Sequence, residues 1–286
     1  MSPKTFGVVL AAASGMVLGS DSFAQATSLE FPAPSPACTI KQRVGLTDVE
    51  IVYSRPGVKG RRIFGGLVPY GEVWRTGANA STRISFSTDV KLNGTEIPAG
   101  TYALYTIPDN KEWTVIINKD TGATIFNYNP TNDLARFHAT PIQFAKSVET
   151  FTIELSDITD ESATLDLMWE KTGVPVKLEL DLASKLVPQI EAAMAAPGGR
   201  KPYYPAAMFF YDHGQDLHKA SEWINAAIAE RETYYIVHLK AKILARLGDK
   251  AGAIAAANRS SELAVKAEGP KSGYVKMNQD LIVSLK

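Results

Sequence analysis

After a proline-rich lead containing Pro32, Pro34 and Pro36, apolar residues begin to recur at every second position, the spacing that sends one set of side chains to a single face of a strand. Val49, Ile51 and Tyr53 form the first clear set. Ile84 and Phe86 alternate with Arg83, Ser85 and Ser87, and Val90-Lys91-Leu92 then runs into Asn93-Gly94. Both positions of that dipeptide tolerate positive φ, so it predicts a hairpin closed by a type I′ turn. Further strands are predicted over residues 102–107, 113–118, 151–155, 163–169 and 174–180, with turn clusters such as Pro98-Ala99-Gly100 and Pro108-Asp109-Asn110 between them. Many short strands with no helix between them indicate an antiparallel β-sandwich or barrel-like domain rather than a parallel α/β sheet.

From Asp181 the period lengthens. Leu182, Leu186, Ile190 and Ala193 follow helical spacing until Pro197-Gly198-Gly199 breaks the chain. Beyond it, Ala220, Trp223, Ile224, Ala227 and Ile228 make one apolar stripe, and Ile236, Leu239, Ile243 and Leu247 make another. Gly248 is placed to end that helix and Asp249 to cap the next. Ala220 and Ala253 fall at a similar offset in successive helix pairs, near the period of a tetratricopeptide repeat. The prediction is two helix pairs and a last helix over residues 274–285, docked on the β-rich part to cover its open end. The expected fold class is α+β, a β-sandwich or barrel followed by a helical-repeat, tetratricopeptide-like tail, with the β-rich domain at 35–181 and the helical linker and repeat helices at 182–286.

Length and composition fit two folded parts: 286 residues, 45% apolar and 21% charged, with thirty basic residues against thirty acidic ones. That balance supplies no net field toward nucleic acid or an anionic membrane. At the N-terminus, Lys4, an apolar stretch over residues 6–18 and Ala24-Gln25-Ala26 have the order of a signal peptide cleaved after Ala26. The stretch is short for a membrane span, which needs roughly 20 apolar residues. The expected location is therefore periplasmic or secreted. Cys38 is the single cysteine, so no disulfide forms within the chain.

The run Tyr53-Ser54-Arg55-Pro56-Gly57-Val58-Lys59-Gly60-Arg61, followed by Ile63-Phe64-Gly65 and by Pro69-Tyr70-Gly71-Glu72-Val73-Trp74-Arg75-Thr76-Gly77-Ala78-Asn79, closely resembles the family called domain of unknown function 2911. Pro98-Ala99-Gly100-Thr101-Tyr102, Thr106-Ile107-Pro108 and Glu112-Trp113-Thr114-Val115-Ile116 extend the resemblance over residues 35–181. The resemblance implies an exported bacterial protein and implies no activity. Where the family pattern has an acidic residue after the Gly-Ala-Asn element, this chain has Ala80.

Familiar catalytic motifs are missing: there is no zinc-binding His-Glu-x-x-His, nucleophile elbow, phosphate-cradling loop or dinucleotide fingerprint. Asp212-His213 and Asp216-His218 read as a solvated turn beside Gly214 rather than as metal ligands, and Asp157, Asp160 and Glu161 as a hairpin turn rather than a calcium loop. The sequons at Asn79 and Asn93 read as chance matches. No cofactor or metal is expected. One segment stands apart. Between Tyr53 and Arg83 six cations, Arg55, Lys59, Arg61, Arg62, Arg75 and Arg83, accompany a single acid, Glu72, and Tyr53, Phe64, Tyr70 and Trp74 are interleaved with them.

Arginine forks beside aromatic faces can hold a carboxylate or phosphate while a ring stacks on the ligand. The first reading is therefore a non-catalytic binding module for a small anionic or glycan ligand, with Arg55, Arg62 and Arg75 as clamp, Trp74 and Tyr70 as stacking wall, and a protein partner recruited by the helical tail. A second makes the chain an envelope hydrolase or other enzyme acting on carbohydrate or peptide, with Glu72 as general acid or base and Arg75 facing developing negative charge. A third is a structural scaffold in which the arginines pair with acids elsewhere and the aromatics are core. Nucleic acid is not expected as a partner.

Overall fold

The computed structural model describes Met1 and residues 31–286. The expected signal segment and its cleavage point lie outside the described residues. The described residues form two antiparallel sheets followed by six α-helices. Sheet 1 has the order β1-β2-β3-β6-β7-β8, with β1 Ala37–Val44, β2 Thr47–Ser54, β3 Thr82–Phe86, β6 Gly100–Ile107, β7 Trp113–Asn118 and β8 Asp133–Ala139. Sheet 2 has the order β5-β4-β10-β9, with β4 Val90–Leu92, β5 Thr95–Ile97, β9 Ile142–Ser156 and β10 Ser162–Glu179. Neither sheet closes on itself, so of the two expected architectures the barrel is not formed.

The alternation seen in the sequence is the reason for this layering. Val49, Ile51 and Tyr53 of β2, Ile84 and Phe86 of β3, and Val115 and Ile117 of β7 are buried, and so are Leu165, Leu167 and Trp169 of β10. All belong to one apolar core shared by both sheets. The Asn93-Gly94 hairpin forms as predicted, with φ of 46° and 78° and Leu92 opposite Thr95. Asn93 is fastened further: its side chain accepts from the Lys177 N–H and donates to the His138 carbonyl, both at 2.8 Å.

The two strands expected over 163–169 and 174–180 are one strand. Its buried positions are odd-numbered as far as Trp169 and even-numbered from Val174. The change of phase is absorbed at Glu170, which has φ of 54° and lies between two shifts of register against β9. An inserted residue of this kind bends a strand and re-aims the side chains beside it.

The helices are α1 Leu182–Ala195, α2 Tyr203–Asp212, α3 Leu217–Glu230, α4 Tyr234–Arg246, α5 Lys250–Glu268 and α6 Gly273–Ser284. Asp181, Asp216, Asp249 and Ser272 cap α1, α3, α5 and α6 through their side chains. From α2 onward each helix packs against the next, the neighbour-to-neighbour stacking expected of a helical repeat. Ala220, Ala241, Ala253 and Ala257 are fully buried there, and their small side chains permit close approach of the helices. No helix among the described residues is long and apolar enough to cross a membrane.

The tail meets the β-rich part at a small joint. Leu182 enters the core of the sheets, Phe209 packs against that core and against the helical one, and His213 Nδ1 lies 3.0 Å from Glu161 Oε1 in the β9–β10 turn. His213 is therefore not a solvated turn residue. Its side chain is 8% exposed and its ring stacks on Phe209 at 4.1 Å.

Candidate functional site: a cleft under the arginine-rich connection

Residues 55–81 connect β2 to β3, adjacent strands of sheet 1, by way of sheet 2. A connection of this length without regular structure is uncommon in a compact domain and is often functional. It is laced to both sheets. Phe151 N–H donates to the Pro56 carbonyl and Val58 N–H to the Glu149 carbonyl, which holds the first part on β9. Ile63 N–H donates to the carboxylate of Glu170, the bulge residue of β10. Trp74 and Thr106 then exchange backbone hydrogen bonds of 2.7 and 2.9 Å, returning the chain to β6.

Around Arg75 the backbone is held in an unfavourable shape. Thr76 is a buried β-branched residue at φ of 49°, a conformation that L-residues adopt only when the surroundings enforce it. Here its hydroxyl meets Thr106 Oγ1 at 3.1 Å and its carbonyl accepts from Thr82 Oγ1 at 2.6 Å. Asn79, at φ of 60°, donates its amide to the Ser35 carbonyl and to Ser54 Oγ. The segment carrying Trp74 and Arg75 is thus held by hydrogen bonds within the protein.

Between this connection and the loop after β7 lies a cleft of about 530 Å³. Its floor belongs to an aromatic cluster in which Trp74 and Trp169 stack at 5.8 Å, with Phe64, Trp113 and Phe151 packed edge-on around Trp74. The Trp74 indole N–H donates to the Gly77 carbonyl. Two other donors have no partner among the described residues: Nε of Arg75 and Nε1 of Trp169 are both buried and unbonded, and both residues line the cleft. Leu67 and Phe126 line it as well and are 48% and 94% exposed. No residue of the helical tail contributes to the lining.

The residues singled out from sequence separate here. Trp74, Arg75 and Glu72 reach the cleft; Arg55, Arg62 and Tyr70 do not. Arg55 instead donates to the Phe151 carbonyl and to Thr152 Oγ1, tying the connection to β9. Arg62 is exposed outside the cleft, and the Tyr70 ring lies so close over Gly65 that a Cβ there would sit 2.5 Å from it. Trp74 is buried, so it forms the floor and not a projecting wall. Arg61 lines the cleft in place of Arg62, with its guanidinium hydrogen-bonded to the carbonyls of Gly57 and Val58. Among the described residues, none of these arginines forms an ion pair, so acids elsewhere in the fold do not neutralise them.

Glu72 lies exposed in a turn at the cleft rim. A general acid or base of the hydrolase reading needs an enclosed carboxyl, and this position gives that reading no support. Among the described residues, no group of three or more His, Cys, Asp or Glu is placed to hold a metal ion. Trp169, Leu67 and Phe126 escaped the sequence reading of the site, and Arg61, counted there among the six cations, was left out of the clamp. For Trp169 a signal existed, the break in alternation immediately after it.

A family model described as a protein of unknown function, DUF2911, matches residues 35–178, half of the chain. The chain belongs to this family. The matched region runs from just before β1 to the penultimate residue of β10, so the DUF2911 domain contains both sheets and every residue lining the cleft. No curated protein and no solved structure matches the chain.

Proposed function

We propose that this protein is an exported binding module whose DUF2911 domain takes a small oxygen-bearing ligand, anionic or glycan, into the cleft beside Arg75. One observation carries the reading: Arg75 and Trp169, each with a buried N–H group that has no partner among the described residues, line the same cleft. Leaving a buried donor unpaired costs about 1–3 kcal/mol, more where the group is charged. Two such costs in one cavity are offset when ligand oxygens accept from both groups. The strained and heavily bonded backbone around Thr76 supports the same reading, because it pre-positions Arg75 and reduces the ordering that binding requires. Export rests on the signal-like N-terminal sequence, and a protein partner for the helical tail rests on its repeat-like stacking.

The test is the melting temperature of the purified protein mixed in turn with carboxylates, phosphates and acidic sugars. A rise of several degrees with one class, absent in Arg75→Ala, is the expected outcome. A flat response across all classes contradicts the binding reading and favours a scaffold.

A further inference from the structure

We propose that the occupant of the cleft is a carboxylate with an apolar body, an aryl or short acyl acid, rather than a sugar or an inorganic anion. The inference rests on the binding reading above and specifies the chemistry of the same site. The polar side chains of the lining are Ser35, Arg61, Glu72, Arg75 and Asn79, with the Glu72 carboxylate exposed at the rim. Arg75 lines the cleft together with Trp74 and Trp169, whose rings stack on each other, so the two residues that carry unpartnered donors border one cavity. The Asn79 amide is already engaged with Ser35 and Ser54, and Arg61 already donates to two carbonyls. Much of the remaining lining is apolar, from Leu67, Val68, Pro69, Val73, Ile125 and Phe126.

A sugar brings a hydroxyl on nearly every carbon, and each one buried without a partner is unfavourable. With Arg61 and Asn79 already engaged, this lining offers few free groups to meet a full set. An inorganic anion meets the donors but leaves the apolar surface of Leu67 and Phe126 in water and most of the 530 Å³ unfilled. An apolar carboxylate satisfies both parts at once: its oxygens accept from Arg75 and Trp169, and its body covers the two exposed side chains.

Phe126 is not exposed because its loop is loose. Thr124 N–H and hydroxyl donate to Asn127 Oδ1 at 2.6 and 2.7 Å, closing the turn that presents the ring. Farther along, Tyr128 donates to Asp133 Oδ2 at 2.7 Å, and Arg136 donates to both Asp133 and Tyr128. Burial first, and then the Asp133 carboxylate, push the Tyr128 hydroxyl up to about 12, so it stays a donor. Phe126 and Leu67 together offer apolar surface to an occupant of the cleft.

Isothermal titration with phenylacetate, octanoate, glucuronate, inorganic phosphate and the uncharged phenethyl alcohol tests this on wild type, Phe126→Ser and Arg75→Gln. Wild type is expected to bind phenylacetate or octanoate at least about tenfold more tightly than glucuronate, phosphate or the alcohol. Phe126→Ser is expected to lose about five- to tenfold in affinity for the apolar acid with the melting temperature of the free protein unchanged. Arg75→Gln is expected to erase the preference for acid over alcohol. Glucuronate or phosphate binding as tightly as the apolar acids overturns this inference and leaves the binding reading standing. The alcohol binding as tightly as the acid removes the carboxylate from it. If no compound binds wild type, both are overturned.

Discussion

Gly65 and His238 show how single residues set the geometry. Gly65 has φ of 73°, and a Cβ at this position would meet the Tyr70 ring at 2.5 Å. Gly65→Ala should therefore lower stability by about 1–3 kcal/mol in urea unfolding, since both the backbone and the ring above it are disturbed. In the tail, His238 Nδ1–H donates to Asn278 Oδ1 at 2.7 Å, while the Asn278 amide donates to Ser260, which bonds the Tyr234 carbonyl. Burial lowers the His238 pKa from its ordinary 6.5, against the Asn278 hydrogen bond and with help from Lys242. The folded state thus binds the proton less well than the unfolded one. Its stability contribution is complete above about pH 6.5 and declines as the pH falls below that value, levelling off beneath the lowered folded pKa. Urea midpoints measured at pH values on either side of 6.5 should fall more on acidification for wild type than for His238→Gln.

Among the elements, legibility in the sequence follows burial. Strands with one full buried face, such as β2, β3 and the two halves of β10, announced themselves by alternation. The strands that were missed are edges. β1 and β8 close the two ends of sheet 1, and the N-terminal half of β9 runs along the edge of sheet 2, mostly exposed. Lys41, Gln42 and Arg43 in β1 give it the polar character that guards an open edge, and that same character hides the strand from a hydrophobic reading. β10 was read as two strands because the bulge at Glu170 changes the phase, a feature that positions Trp169 at the cleft. Asn93 was legible for a local reason, yet its bonds to Lys177 and His138 are tertiary. Asn93→Ala removes a tolerant residue from φ of 46° and breaks both bonds, so a loss of about 1–3 kcal/mol is expected by chemical denaturation.

In the whole molecule, the arginine-rich segment identified the right stretch of chain but not the right partners within it. Composition shows which cations lie near one another in sequence; it does not show that Arg55 turns onto β9 while Arg75 shares a cleft with a tryptophan contributed by β10. The helical tail joins through Leu182, Phe209 and the His213–Glu161 contact and lines no part of the cleft. Glu161→Ala should accordingly weaken the joint, read as a lower melting temperature, while leaving affinity for any cleft ligand within about twofold of wild type. If the chain is exported as proposed, N-terminal sequencing of the protein recovered from a bacterial envelope fraction should begin at Thr27.

The central claim, that Arg75 and Trp169 donate to a ligand, is tested most directly by the indole N–H resonances of the four tryptophans in a nitrogen-15 labelled sample. Trp169 is assigned with Trp169→Phe, and the protein is titrated with phenylacetate and, separately, with inorganic phosphate. The account predicts a saturable shift of the Trp169 N–H that is larger than that of Trp74, whose N–H is already bonded to Gly77, and that is lost in Arg75→Ala. A Trp169 resonance that stays in place with both compounds, or moves equally in Arg75→Ala, would contradict it.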